Sequence, residues 1–228
     1  MILLLAGTTE SKEIAKKLKE NFIISVATDY GYESFKRVFP NTIKANFDEE
    51  SLAEFIKKKK ITKIIDATHP FAFKISQTAK RVALKMKIEY KERKRKLEAS
   101  TTYKKALFFS SKEDIFDFLR CNCKRIFFTI GSKRIDMFKE FFDNSIFRIL
   151  PYENSIKHLR NLGINPKNII AMEGLFSKNF NIAIIEEFDI DCIVTKNSGR
   201  EGGLNNKIEA AKDKNIYILI LQPDFFSD

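Results

Sequence analysis

The chain has 228 residues, enough for one large domain or two small ones with a buried core. Its 44% hydrophobic and 31% charged residues are ordinary for a soluble globular protein, and no apolar run approaches the ~18–20 residues that span a bilayer, which argues against a helical membrane protein. The net charge of +11 fits an acidic ligand, yet abundant Lys, Asn, Ile and Phe with no Trp fit compositional drift equally well, so charge alone decides little.

Residues 2–6 read as a strand, which sets the start of the chain apart from a secretory leader. A helix over 9–20 follows, with Ile14, Ala15 and Leu18 on one face. Then come a strand at 22–27, a helix at 49–59 ending in Lys57–Lys60 at the negative pole of its dipole, and a strand at 61–66. A long helix is expected over 70–87, and a strand begins at 88–90 before the basic stretch Lys91–Lys96. A second series predicts a helix at 111–119, a strand at 125–130, a helix at 133–142 and a strand at 146–150. It continues with a helix at 155–162, a strand at 168–172, a helix at 177–188, a strand at 191–195, a helix at 204–214 and a strand at 216–221. Strands alternating with helices imply right-handed crossovers and parallel sheets. There are too many strands for one small sheet. The expectation is an α/β protein of two Rossmann-like, doubly wound lobes with mainly parallel sheets, over 1–95 and 96–228, joined near 92–108 and with a cleft between them.

Glycine is scarce, with eight in the chain. Seven of them (Gly7, Gly31, Gly131, Gly174, Gly199, Gly202, Gly203) follow apolar runs that read as strands, where α/β sheets bind their ligands. Gly163 instead fits a helix C-cap before Ile164-Asn165-Pro166.

Four segments stand out. Ala6-Gly7-Thr8-Thr9-Glu10-Ser11 is a strand-to-helix turn that suits a phosphate at the helix start, although it holds one glycine of the usual three. Asp29 lies roughly 20 residues on, where dinucleotide folds place the acid that binds a ribose 2′-hydroxyl, and its charge favours NADH over NADPH. In Asp66-Ala67-Thr68-His69-Pro70-Phe71-Ala72, Pro70 suits the first helical position and puts His69, or Thr68, at the N-cap. Histidine is a poor cap, so His69 is a candidate hydrogen-bond or proton donor; His158 reads as surface. The loop Lys196-Asn197-Ser198-Gly199-Arg200-Glu201-Gly202-Gly203, with Lys207 beyond it, is dense enough in glycine to cradle an anion but lacks the Walker ending. Thr129-Ile130-Gly131-Ser132-Lys133 is a weaker turn of the same kind. Cys121, Cys123 and Cys192 supply no metal-ligand pattern, so no metal is expected, and reduced thiols suit the cytoplasm.

Taken together these blocks resemble the precorrin-6A reductase family, including the cobalt-precorrin-6A reductases. The matches are Gly7-Thr8-x-Glu10, Asp66–Ala72, Thr129–Lys133 and the pattern from Lys196 to Ala211, in the family's order over nearly the whole chain. The sequence departs at Ala6-Gly7, where a double glycine is common, and at Lys91–Lys96, where an arginine-proline pattern is expected. The resemblance implies reduction of one double bond of a corrin precursor by NADH or NADPH in cobalamin biosynthesis. It implies that Gly7, Thr8, Thr9, Asp29 and Thr68 face the cofactor. Lys133, Lys196, Ser198, Gly199, Gly202, Gly203 and Lys207 would hold a polycarboxylate tetrapyrrole, although the lysines and Ser198 also suit cofactor phosphates. His69 would be the candidate proton donor. Two rivals stand beside it: a cofactor-free tetrapyrrole enzyme similar to uroporphyrinogen-III synthase, and a basic nucleic-acid-binding module using Lys57–Lys60 and Lys91–Lys96. The second lacks any helix-turn-helix, zinc-finger or aromatic RNA-binding pattern, and neither nucleic acid nor membrane is expected as a partner.

Overall fold

The computed structural model describes residues 1–93, 101–199 and 202–226. The chain divides into two compact units, Met1–Lys96 and Leu97–Asp228.

The first unit carries β1 (Ile2–Leu5), α1 (Thr9–Lys17), β2 (Phe22–Val26), α2 (Asp29–Lys36), β3 (Thr42–Lys44), α3 (Glu49–Lys59), β4 (Lys63–Asp66), α4 (Phe73–Met86) and β5 (Glu89–Glu92). Its strands form one sheet in the order β3-β2-β1-β4-β5, parallel throughout. Helices cover both faces, so the central strands are apolar without interruption. Ile2 and Leu4 pack with Ile24 and Phe35 on one side, while Leu3 and Leu5 pack with Leu52, Ile56, Ile64 and Val82 on the other. That is the two-residue period of a strand read out as two hydrophobic layers.

The second unit carries β6 (Ala106–Phe109), α5 (Lys112–Asn122), β7 (Ile126–Thr129), a 3₁₀ segment (Ile135–Asn144), β8 (Ser145–Ile149), α6 (Glu153–Asn161), β9 (Ile169–Ala171), α7 (Lys178–Glu187), β10 (Cys192–Lys196), α8 (Leu204–Asp213) and β11 (Tyr217–Leu221). The sheet order is β6-β11-β10-β7-β8-β9, again all parallel. One face packs Phe127, Ile146, Ile193 and Ile218 against Ile184, Ile185, Ile208 and Ala211 of α7 and α8. On the next residues of the same strands, Phe128 and Phe147 stack with ring centroids 5.5 Å apart, and Phe138 sits 4.9 Å from Phe128.

Three expectations need correction. The helix expected from Pro70 begins at Phe73, with Ala72 as an N-cap that makes no side-chain bond, so neither His69 nor Thr68 caps it. The His69–Phe71 turn closes first, through the Ala72 amide on the His69 carbonyl at 2.8 Å. Residues 106–109 are the edge strand of the second sheet, not a connector. The stretch after β7 winds as a 3₁₀ segment that breaks at Phe138 rather than as an α-helix. Both α2 and β3 also escape the sequence pattern: β3 has three residues, too few to show a period, and Asp29 opens α2 as its first residue.

Candidate functional site

In the first sheet, β2 lies on one side of β1 and β4 on the other, so chain direction across the sheet reverses between β1 and β4. The register puts Leu5 beside Asp66, and the loops that follow leave at the same edge. The Thr8 hydroxyl donates to the Ala67 carbonyl at 3.4 Å and ties the two loops together. Gly7, at φ +147, makes the turn that brings them there, and a Cβ on it would meet no atom within 4 Å. This is the switch-point position where open α/β sheets bind ligands.

The local chemistry is specific. Thr8 caps α1, its hydroxyl accepting the Ser11 amide, while the Ser11 hydroxyl accepts the amides of Gly7 at 3.2 Å and Thr8 at 3.0 Å. Those two amides therefore face their own helix, and Thr9 is the exposed residue at the helix start. Asp66 is fully buried at the end of β4. One carboxylate oxygen accepts the Thr68 amide at 3.1 Å and the Thr68 hydroxyl at 2.6 Å; the other accepts the Tyr90 hydroxyl at 2.8 Å. Burial, then the Asp66 charge, pushes the Tyr90 phenol above its ordinary value. The loop that carries His69 is thus pinned from both sides. His69 stacks on Phe71, and its Nδ1 accepts the Phe71 amide at 3.2 Å. In the neutral ring this leaves the proton on Nε2, which makes the outer nitrogen a donor. Asp29 stands apart from this network, exposed and ion-paired to Lys44 of β3.

The second sheet reverses between β7 and β10. A cavity of about 180 Å³ opens there, at the carboxyl ends of β7, β8 and β9 and under the Gly202–Gly203 turn. Arg148 and Lys207 line it, and they are only 9% and 5% exposed. The Arg148 guanidinium lies 4.2 Å from the Phe176 ring centroid and, among the described residues, donates 3.0 Å to the Asn181 amide oxygen. The Lys207 ammonium reaches back along α8 to the Gly202 carbonyl at 3.0 Å. Among the described residues neither has an acidic partner. Burial lowers Arg148 to about 10; burial, then Arg148, lowers Lys207 to about 7. Gly203, the N-cap of α8, offers no side chain to the helix amides. Gly202 has no room for a side chain: a Cβ would fall 2.2 Å from the Ser198 Cβ.

Lys196 belongs to a different group. Its ammonium lies 5.1 Å from the Phe226 ring centroid, and burial, then Arg134 and Lys133, lower it to about 8. Its neighbour Asn197 is buried, with the amide nitrogen donating to Gln222 at 3.0 Å and the amide oxygen without a partner among the described residues.

A family model described as "Precorrin-6x reductase CbiJ/CobK" matches residues 1–225. The chain belongs to the precorrin-6x reductase family. It is 32% identical to the cobalt-precorrin-6A reductase of Methanocaldococcus jannaschii, over 97% of this chain and 89% of that protein. It is 30% identical to that of Priestia megaterium over the same shares. The solved structure of a CobK precorrin-6A reductase superposes with a TM-score of 0.75 at 20% identity, covering 97% of this chain and 87% of the other, so the two share a fold.

Within this reductase fold, Gly7, Thr8, Thr68 and His69 come together in the first unit, with Thr9 beside them. Gly202, Gly203 and Lys207 come together in the second. Lys133 and Lys196 gather elsewhere at the same strand ends, and Ser198 and Gly199 shape the turn, the Ser198 hydroxyl donating to the Gly202 carbonyl at 3.3 Å. Arg200 and Glu201, like Lys94–Lys96 of the basic stretch, lie outside the described residues. Sequence reasoning missed the bond from Tyr90, read only as part of the strand that begins at 88–90 and leads into the basic stretch, and Arg148, hidden in Ile146-Phe147-Arg148-Ile149. A charged residue inside a buried strand run is the signal that would have found Arg148. His158, expected at the surface, is half-buried in α6, its Nε2 enclosed without a partner among the described residues. No described helix is long and apolar enough to cross a membrane.

Proposed function

We propose that this chain reduces precorrin-6A, or its cobalt form, in cobalamin biosynthesis, with NADH or NADPH as reductant. The observation that carries the reading is the junction of the Gly7-Thr8 turn with the Asp66–His69 loop at the switch point of the first sheet, in a chain of this family. A nicotinamide held there would supply the hydride for one double bond of the ring, with a proton completing the reduction. The open face of Gly7 admits the dinucleotide backbone, and the Thr9 amide at the α1 N-terminus is placed for its phosphate. Thr68 holds the adjoining loop in position through Asp66. Asp29 faces the ribose, but with Lys44 beside it the pair is neutral, so its charge does not repel a 2′-phosphate and either dinucleotide suits. His69 orients the ring with a hydrogen bond from Nε2. The imidazolium needed for full proton donation would place a second donor against the Phe71 amide, so we assign His69 the donor role in place of the general acid. Lys133 and Lys196 face the acidic side chains of the substrate, with Ser198 and Gly199 shaping the adjoining turn.

The test is anaerobic turnover of precorrin-6A and of cobalt-precorrin-6A with each nicotinamide, followed by nucleotide oxidation and by mass spectrometry. A product heavier by two hydrogens, formed together with oxidised nucleotide, is the expected result. Absence of turnover with both tetrapyrroles and both nucleotides overturns the reading.

A further inference from the structure

The cysteines stand outside the chemistry described so far, and two of them meet. Cys192 is the first residue of β10, fully buried and in register with Ile126, the first residue of β7. Cys123 ends α5 just before that strand, half-buried, with its amide on the Leu119 carbonyl at 3.1 Å. The two thiols share a hydrogen bond. Asp191 fixes the backbones on either side of it. Its carboxylate accepts the amides of Lys124 at 2.9 Å and Arg125 at 3.0 Å, and its own amide donates to the Arg125 carbonyl at 3.1 Å. The residue after Cys123 is thereby bound to the residue before Cys192, through charge-assisted bonds that keep the sulfurs together.

A buried thiol by itself is inert. Burial, then the bond to Cys123, pushes the Cys192 thiol up, so Cys192 keeps its proton while Cys123 is the sulfur that solvent reaches. An accessible thiol in contact with a buried one is the arrangement of an attacking and a resolving cysteine. Cys121 is exposed at the end of α5, and positions i and i+2 of a helix do not face each other.

We propose that Cys123 and Cys192 are a redox modification site, a dithiol that low-molecular-weight disulfides convert reversibly to an intrachain disulfide. The Cys123 thiolate attacks one sulfur of the small disulfide, which releases one small thiol and leaves a mixed disulfide on Cys123. Cys192 gives its proton to water and attacks the Cys123 sulfur, and the second small thiolate departs and takes up a proton. The two cysteines lose two electrons and two protons, and the small disulfide becomes two thiols. An excess of small thiol reverses both steps. The site lies at the amino ends of β7 and β10, the opposite sheet edge from the Gly131 and Gly202–Gly203 turns, so it is separate from the reductase chemistry. The bond ties the α5–β7 corner to β10 and closes a loop that holds β7, β8 and β9.

The test incubates the folded full chain with oxidised glutathione, alkylates the remaining thiols and maps the peptides by mass spectrometry. The expected product is lighter by two hydrogens, joins the Cys123 and Cys192 peptides, carries no glutathione on Cys123, and returns to the starting mass with dithiothreitol. Because Cys121 and Cys123 share one tryptic peptide, the link is read again in Cys121→Ser, where it persists. Cys192→Ala accumulates the Cys123–glutathione adduct at least about 10-fold above the wild-type level, since the resolving sulfur is gone. Should that variant fail to fold, the maps of the wild type and Cys121→Ser decide by themselves. A bond between Cys121 and Cys123, loss of the link in Cys121→Ser, a lasting glutathione adduct on Cys123 in the wild type, or no reaction at all overturns the proposal.

Discussion

The Tyr90 hydroxyl of β5 donates to the Asp66 carboxylate of β4 at 2.8 Å, and through that carboxylate a strand outside the loop sets the position of Thr68 and His69. Tyr90→Phe removes one hydrogen bond to a buried charge, and a loss of about 1.5–3 kcal/mol is expected in urea unfolding. The turnover number falls with it, since the carboxylate that holds Thr68 loses its brace. If stability drops while kcat is unchanged, the loop is held by other contacts.

Substitution at His69 separates a donor from a general acid. His69→Gln keeps an N–H in a similar place and should retain kcat to within about 10-fold, whereas His69→Ala should lose roughly 100-fold or more. A glutamine variant as slow as the alanine variant would restore the imidazolium to the mechanism.

Specificity for the nicotinamide should depend on the Asp29–Lys44 pair. Asp29→Asn leaves Lys44 unopposed and is expected to improve kcat/KM for NADPH over NADH by about 10-fold, with Lys44→Glu giving the opposite change. Unchanged ratios in both variants would place the ribose elsewhere.

Gly202→Ala forces a methyl into the Ser198 side chain, where the gap is 2.2 Å. A lower melting temperature is expected. Ser198→Gly in the same chain should restore the melting temperature, because it removes the colliding atoms. No recovery would mean that the collision lies with another group.

Stability should rise with pH above neutrality. Lys207 is lowered to about 7 and Lys196 to about 8 from the ordinary 10.5, so between those values the unfolded chain binds more protons than the folded one. The cost of the buried cations is complete below about pH 7 and fades as pH climbs, by up to about 1.4 kcal/mol per pH unit per group. Above pH 10 the raised Tyr90 acts in the opposite sense, since the unfolded phenol ionises first. Unfolding measured from pH 7 to 10 should show a smaller rise in Lys207→Met than in the wild type. Equal slopes would mean that Lys207 titrates normally.

Fold class was legible in the sequence because buried parallel strands show as short uninterrupted apolar runs, as in Ile2-Leu3-Leu4-Leu5, and amphipathic helices carry a 3.6-residue period, as in α3. The ends of elements were less so. The start of α4 slipped by three residues because the tight turn at His69–Ala72 satisfies its own backbone, which residue preferences do not reveal. The edge strand at Ala106–Phe109 has little pattern of its own and is defined by pairing with β11, more than one hundred residues later.

The glycine turns, Thr8, Thr68, His69 and Lys207 were marked by local chemistry: a backbone that must turn sharply, or a residue ill-suited to the position it holds. Sequence by itself therefore determined the two-series α/β pattern, the family and the glycine turns at the strand ends. Only the tertiary structure decided that Tyr90 braces Asp66, that Lys207 stands with Arg148 and not with Lys196, and that Asp29 is neutralised by Lys44. Those pairings join residues on different strands and helices. The sheet order sets their distance, and burial, not spacing along the chain, sets the energy of each charge.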